Sequence, residues 1–205
     1  MNKSAGLFML LVGAIALHAV PCQARDITYL LAIGHDGGGG DLALLSNGYS
    51  VSTSGGWTFK AGFEIPTDQA KTWMTQLSIN HKSSHAFLDE LGEAFASAIT
   101  GAKAYARMSS NSLEALEFYQ APGGFRAGAG LAYFVSPKVE CVETTAGGCA
   151  SVLGFRYNNA LGSIVQIGYV SRNFEFGLRY TFVNYHHDSQ KFNGSSAGIL
   201  FGLRF

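Results

Sequence analysis

Three neighbouring residues, His187, Asp188 and Ser189, carry the side chains of a hydrolytic site. A histidine within reach of a serine hydroxyl can take its proton and make it a nucleophile, provided a carboxylate orients the ring. Here no Glu or Asp follows Ser189 before the chain ends. Asp188 sits between the other two and points to the opposite face if the segment is extended. The orienting group is missing, so His187 and Ser189 read as loop residues more readily than as a catalytic pair. His35, His81, His85 and His186, with Asp36, Asp41 and Asp188, suggest metal or pH-sensing chemistry. Their setting reads instead as solvated loop, and no metal or other cofactor is expected. The stretch HDGGGGD, His35–Asp41, lacks the Lys-Ser/Thr of a phosphate loop and reads as a surface turn.

Cys141 and Cys149 bracket a polar, glycine-containing loop in CVETTAGGC. In an exported chain such a pair reads as a disulfide. Two thiolates without a neighbouring histidine make poor zinc ligation.

Export is read from the N-terminus. Residues 1–24 carry Lys3, then an apolar run of 16 residues from Ala5 to Val20, then PCQA before Arg25. That is the layout of a signal peptide cleaved after Ala24. A spanning helix would need about 20 apolar residues. Pro21 argues against lipoprotein processing at Cys22. Residues 25–205 then form one domain. Lysine plus arginine equals aspartate plus glutamate, 14 each, so nothing points to nucleic acid. The chain is 47% hydrophobic with only 14% charged residues and 26 glycines. Soluble domains carry about 25% charged residues. The mix suits a protein whose outer face does not meet water.

Eight segments alternate apolar and small or polar residues: Ile27–Gly34, Trp57–Ile65, Thr72–His81, Glu114–Gln120, Phe125–Val135, Leu161–Val170, Phe174–Val183 and Gly198–Phe205. Period-two alternation predicts strands, and segments of about ten residues match tilted membrane-spanning ones. Short connections (PTDQAK, APGG, SRN) alternate with long ones, as in barrels with periplasmic turns and extracellular loops. A soluble barrel of lipocalin type would place the apolar face inside. The polar faces, largely Gly, Ala, Ser and Thr, suit a narrow interior better. Tyr29, Phe63, Trp73, Phe118, Phe125, Tyr169, Phe174 and Phe205 fall at the short-turn end as an aromatic girdle. Trp57, Phe59 and Tyr133 form a thinner outer one. Within Ser84–Met108, helical spacing predicts a short helix near Phe87–Ile99.

The expected architecture is thus all-β: an eight-stranded antiparallel transmembrane barrel. Its inward charges would be Lys60, Glu64, Glu117, Arg126, Glu175, Arg179 and Arg204. Unpaired charges in so narrow a lumen are costly, so they should pair and plug it.

The leader, the alternating strands and the terminal LRF resemble small Gram-negative outer-membrane β-barrels of the OmpA/OmpX type. FRAGAGLAYFVSPK, GLRYTFVNY and SSAGILFGLRF resemble the last four strands of the generic outer-membrane β-barrel family. This resemblance implies residence in the cell outer membrane as a monomer, among outer-membrane lipid and lipopolysaccharide. It also implies a C-terminal tag, Phe201, Leu203 and Phe205, read by the barrel-assembly machinery. Lipid A deacylases are eight-stranded barrels too, with a His-x-Ser near the outer surface and a Glu on the last strand. His187 and Ser189 match the first feature, and nothing here matches the second. The role expected is structural or surface-interacting through the long loops. A lipid A deacylase-like enzyme and a narrow solute channel are the alternatives.

Overall fold

The computed structural model describes residues 27–39, 41–43, 50–52, 55–83, 105–142, 155–188 and 190–205. Its strands are β1 (Thr28–Gly37), β2 (Asp41–Ala43), β3 (Ser50–Ser52), β4 (Gly56–Pro66), β5 (Trp73–Ser83), β6 (Tyr105–Gln120) and β7 (Phe125–Val142). They continue with β8 (Phe155–Arg156), β9 (Ala160–Val170), β10 (Phe174–Phe182), β11 (Asn184–His187), β12 (Gln190–Asn193) and β13 (Ser196–Arg204). Eight of them, β1, β4, β5, β6, β7, β9, β10 and β13, pair antiparallel in chain order. The last returns to the first, with Leu31 opposite Leu203 and Ile33 opposite Phe201. The sheet therefore closes without an edge. Backbone bonds from Tyr29 N to Phe205 O (2.8 Å) and from Phe205 N to Tyr29 O (3.1 Å) carry the seam to the terminal residue.

Alternation sets the wall. Phe176, Leu178, Ile167, Ile199, Phe201 and Leu203 all stand exposed, while Glu64, Arg126 and Glu175 are 0% exposed. Oily side chains outside and charges inside are the reverse of a soluble barrel. Among the described residues no helix is long and apolar enough to cross a membrane, whereas the barrel strands present a continuous apolar belt.

Strands β1 and β5 run two or three residues past their expected outer ends, to Gly37 and Ser83, and two others differ more. β6 begins at Tyr105 rather than Glu114, and β7 runs on to Val142 rather than Val135. Their extensions pair with each other past an irregularity between Ser109 and Asn111. ARMSSNS shows no apolar alternation, and Met108, Ser109 and Ser110 are all buried in turn. Tyr105–Met108 is therefore strand. The expected helix at Phe87–Ile99 lies outside the described residues, as do the leader, His85, Cys149 and Ser189; of Cys141 only the backbone is described.

One strand also differs in phase. Glu117, expected inside, stands on the outer face of β6, opposite Thr75 of β5 and the exposed Ala129 of β7. Leu116 and Phe118 point inward instead, 1% and 0% exposed. The reason lies on β7, whose inward positions include Gly128 and Gly130. A Cβ on Gly128 would stand 2.4 Å from the Phe118 ring, and one on Gly130 would stand 2.6 Å from the Leu116 Cα. Gly128 vacates the volume that the Phe118 ring occupies, and Gly130 lets the β6 backbone at Ala115 and Leu116 approach closely. Phe118 thus leaves the girdle, and the exposed Tyr119 takes its place. Tyr133 departs from the outer girdle too: it is buried, and its hydroxyl accepts a 2.9 Å bond from Asn159 Nδ2.

Above the wall, hairpin β11–β12 folds back so that Tyr185 and Phe192 join Phe134, Val139 and Tyr157 in an apolar cluster. Tyr185 meets Phe134 edge-on at 5.7 Å between ring centroids.

Candidate functional site

The inward side chains are placed by the wall itself. Arg126, Glu175 and Arg204 each neighbour an outward aromatic of the short-turn girdle: Phe125, Phe174 and Phe205. Strand alternation then turns each charge inward.

Nearest the short turns, Glu64 accepts from Arg126 Nη1 (2.5 Å), from Gln76 Nε2 (2.6 Å) and from Arg204 Nη2. Glu175 pairs with Arg126 Nη2 and accepts from Gln166 Nε2 at 2.7 Å. The Arg126 guanidinium lies 4.1 Å from the centroid of the Phe118 ring, a cation–π contact between β7 and β6. Two carboxylates face two guanidiniums in this layer.

Glu114 governs the middle layer. Arg179 binds it bidentately, Nη1 to Oε2 at 2.9 Å and Nη2 to Oε1 at 2.6 Å. Lys60 Nζ stands 3.4 Å from Oε2, and Asn80 Nδ2 and Ser112 Oγ donate to Oε1 at 3.0 and 3.2 Å. Here one carboxylate serves two cations.

Towards the outer rim, Lys82 Nζ meets Asp36 Oδ2 at 2.8 Å, and Thr58 and Ser196 hydroxyls reach the same oxygen at 3.4 Å.

The structure thus brings together Lys60, Glu64, Arg126, Glu175, Arg179 and Arg204, and leaves Glu117 out. Sequence reasoning missed Glu114, Asp36 and Lys82. For Asp36 a signal existed. It continues the inward series Leu30, Ala32, Gly34 once β1 is carried to Gly37. Asp36 is therefore an ion-pair partner inside the wall, not a companion of loop histidines. His35 and His81 are in strands on the outer face. His35 packs edge-on to Trp57 at 5.4 Å, and His81 Nδ1 lies 2.8 Å from Asn111 Oδ1.

At the outer end, His187 Nδ1 donates to the Arg156 carbonyl at 3.0 Å, which assigns that nitrogen its proton. Its Nε2 is 3.7 Å from the exposed Asp188 carboxylate. Burial pushes the Tyr157 phenol up to about 12, and burial likewise raises that of Tyr185. Among the described residues no group of three His, Cys, Asp or Glu is arranged to hold a metal ion.

A closed wall with an oily exterior and an ion-paired interior decides the class. This is an eight-stranded antiparallel transmembrane β-barrel. Several solved structures align with the chain. Ail, the attachment invasion locus protein of Yersinia pestis, aligns with 12% identity over 87% of this chain and 96% of its own, at a TM-score of 0.49. Neisserial surface protein A aligns with 12% identity over 87% and 95%, at 0.46. A major outer membrane protein from Thermus thermophilus aligns with 13% identity over 88% and 100%, also at 0.46. No residue's role is carried across from these alignments. No protein-family model matches the sequence. No curated protein matches it either.

Proposed function

We propose that the chain is an integral protein of a bacterial outer membrane whose lumen is closed, and that it acts as a structural or surface-interacting protein through its outer-end hairpins. The observation that supports this reading is the buried network on Glu64 and Glu114. Each carboxylate binds cations from strands on different sides of the barrel, so the network crosses the interior at two levels. An eight-stranded interior is about filled by its side chains. Opening a solute path would separate these charges in a region of low dielectric. The hairpin β11–β12, packed over the outer end, offers the surface for contact with lipopolysaccharide or another surface partner.

Planar-bilayer recording tests the closed lumen. The folded protein should insert without steady unitary current, and reproducible conductance steps would overturn the reading in favour of a channel. The enzymatic alternative rests on His187 and Ser189. Mass spectrometry of lipid A from cells with and without the gene should show the same acylation. Loss of one acyl chain, restored by Ser189→Ala, would establish the enzyme instead.

A further inference from the structure

Glu117 is a carboxylate on the lipid side of a lipid-facing wall. Ionisable side chains facing a bilayer are costly and mark functional sites. Its surroundings are built around it. Thr67 Oγ1 and Thr75 Oγ1 donate to its two oxygens at 3.0 and 2.5 Å. An ionised carboxylate offers about four acceptor sites, so these bonds leave capacity on both oxygens. Among the described residues Glu117 makes no ion pair, unlike the inward Glu64, Glu114 and Glu175. One row nearer the short turns, Trp73 and Tyr119 stand opposite each other, exposed, with ring centroids 5.5 Å apart. On the β7 side the opposite residues are Ala127 and Ala129, whose side chains are small. Glu117 thus shares the outer face with two exposed aromatics one row away and with small residues across β7, at the level of the interfacial aromatics.

That chemistry fits a primary ammonium group. It would donate to the free acceptor sites of Glu117 while its charge lies against the aromatic rings. We propose that Glu117, Trp73 and Tyr119 form a binding site for the ammonium headgroup of a phosphatidylethanolamine in the leaflet at the short-turn end. The proposal rests on the reading of the chain as a membrane barrel, and the test separates the two.

The full exported chain is folded into vesicles containing equal phosphatidylethanolamine and phosphatidylglycerol. It is extracted in mild detergent, and the lipids it retains are counted by native mass spectrometry. Wild type should retain phosphatidylethanolamine several-fold over phosphatidylglycerol. Glu117→Gln should bring the ratio near one, and Trp73→Leu or Tyr119→Leu should lower it with the carboxylate in place. Equal retention by wild type overturns the site, as does an unchanged ratio in a folded Glu117→Gln. If Glu117→Gln does not fold, the two aromatic variants decide by the same ratio. A chain that stays in the aqueous phase sinks the membrane reading itself, whereas one that inserts without headgroup preference sinks only the binding site.

Discussion

The ring of Phe118 fills the space in which a side chain on Gly128 would stand. A Cβ there would lie 2.4 Å from the ring and 2.6 Å from the Glu117 carbonyl. This fit between β6 and β7 fixes which face of β6 looks inward. Gly128→Ala should therefore cost about 1–3 kcal/mol, the usual penalty of overpacking. Phe118→Ala should cost about 3–5 kcal/mol through the void it leaves. The double variant should be less destabilised than the sum, because removing the ring relieves one of the two clashes. Urea unfolding in vesicles reads all three; strict additivity would show that the two residues do not share the space.

Glu114 holds Lys60 and Arg179 together inside the wall. Removing one member of a buried ion network costs about 3–5 kcal/mol. Glu114→Gln should approach that loss, since it leaves two cations facing each other. Adding Lys60→Met should recover part of it. Denaturant midpoints of the single and double variants check this, and a Glu114→Gln protein as stable as wild type would contradict the network's role.

Gly198 makes room for the Asp36 carboxylate, since a Cβ on it would stand 1.9 Å from Asp36 Oδ1. Gly198→Ala should displace Asp36 from Lys82 and loosen the seam between β1 and β13 near its outer end. Amide hydrogen exchange should accelerate at Asp36 and Ala197 while Leu31 and Leu203 stay protected. Uniform protection in the variant would count against the coupling.

The oily belt predicts a depth dependence. Arginine on the lipid face costs about 2–4 kcal/mol near the midplane and about 0–1 near the interfaces. Ile167→Arg should therefore destabilise the folded barrel more than Phe174→Arg, which sits at the short-turn girdle. Equal costs, or none, would mean that this face does not lie in hydrocarbon.

Phe205 closes the seam by its backbone bonds to Tyr29, and its ring stacks on Tyr29 at 6.1 Å. Deleting it removes that contact and the end of the proposed assembly tag. Folding into vesicles from urea should survive, with a lowered unfolding midpoint, while accumulation of folded barrel in cells should fall sharply. Comparing the two by heat-modifiable gel mobility separates seam from tag. An equal loss in both settings would assign the effect to the seam alone.

Much of the wall is legible in the sequence. The eight alternating segments fall on the eight barrel strands, because period-two burial is a local property that each segment carries by itself. Glu64, Arg126, Glu175, Arg179 and Arg204 could be assigned inward for the same reason. Alternation did not decide β6. Glu114–Gln120 holds large apolar and charged residues in both phases, so Glu117 and Glu114 could not be ranked without knowing what stands across the strand. Asp36 and Lys82 were hidden by strands read too short at their outer ends, where apolar alternation fades.

The sequence by itself determined the strands, their number and the oily character of one face, because each strand's burial pattern is written in consecutive residues. Which β6 carboxylate lies inside, and which charges meet, was decided only by the closed barrel. Glu64 and Arg204 are 140 positions apart. Whether two such side chains touch depends on register summed around the wall and on the volume that residues such as Gly128 leave empty, and neither quantity belongs to any single segment.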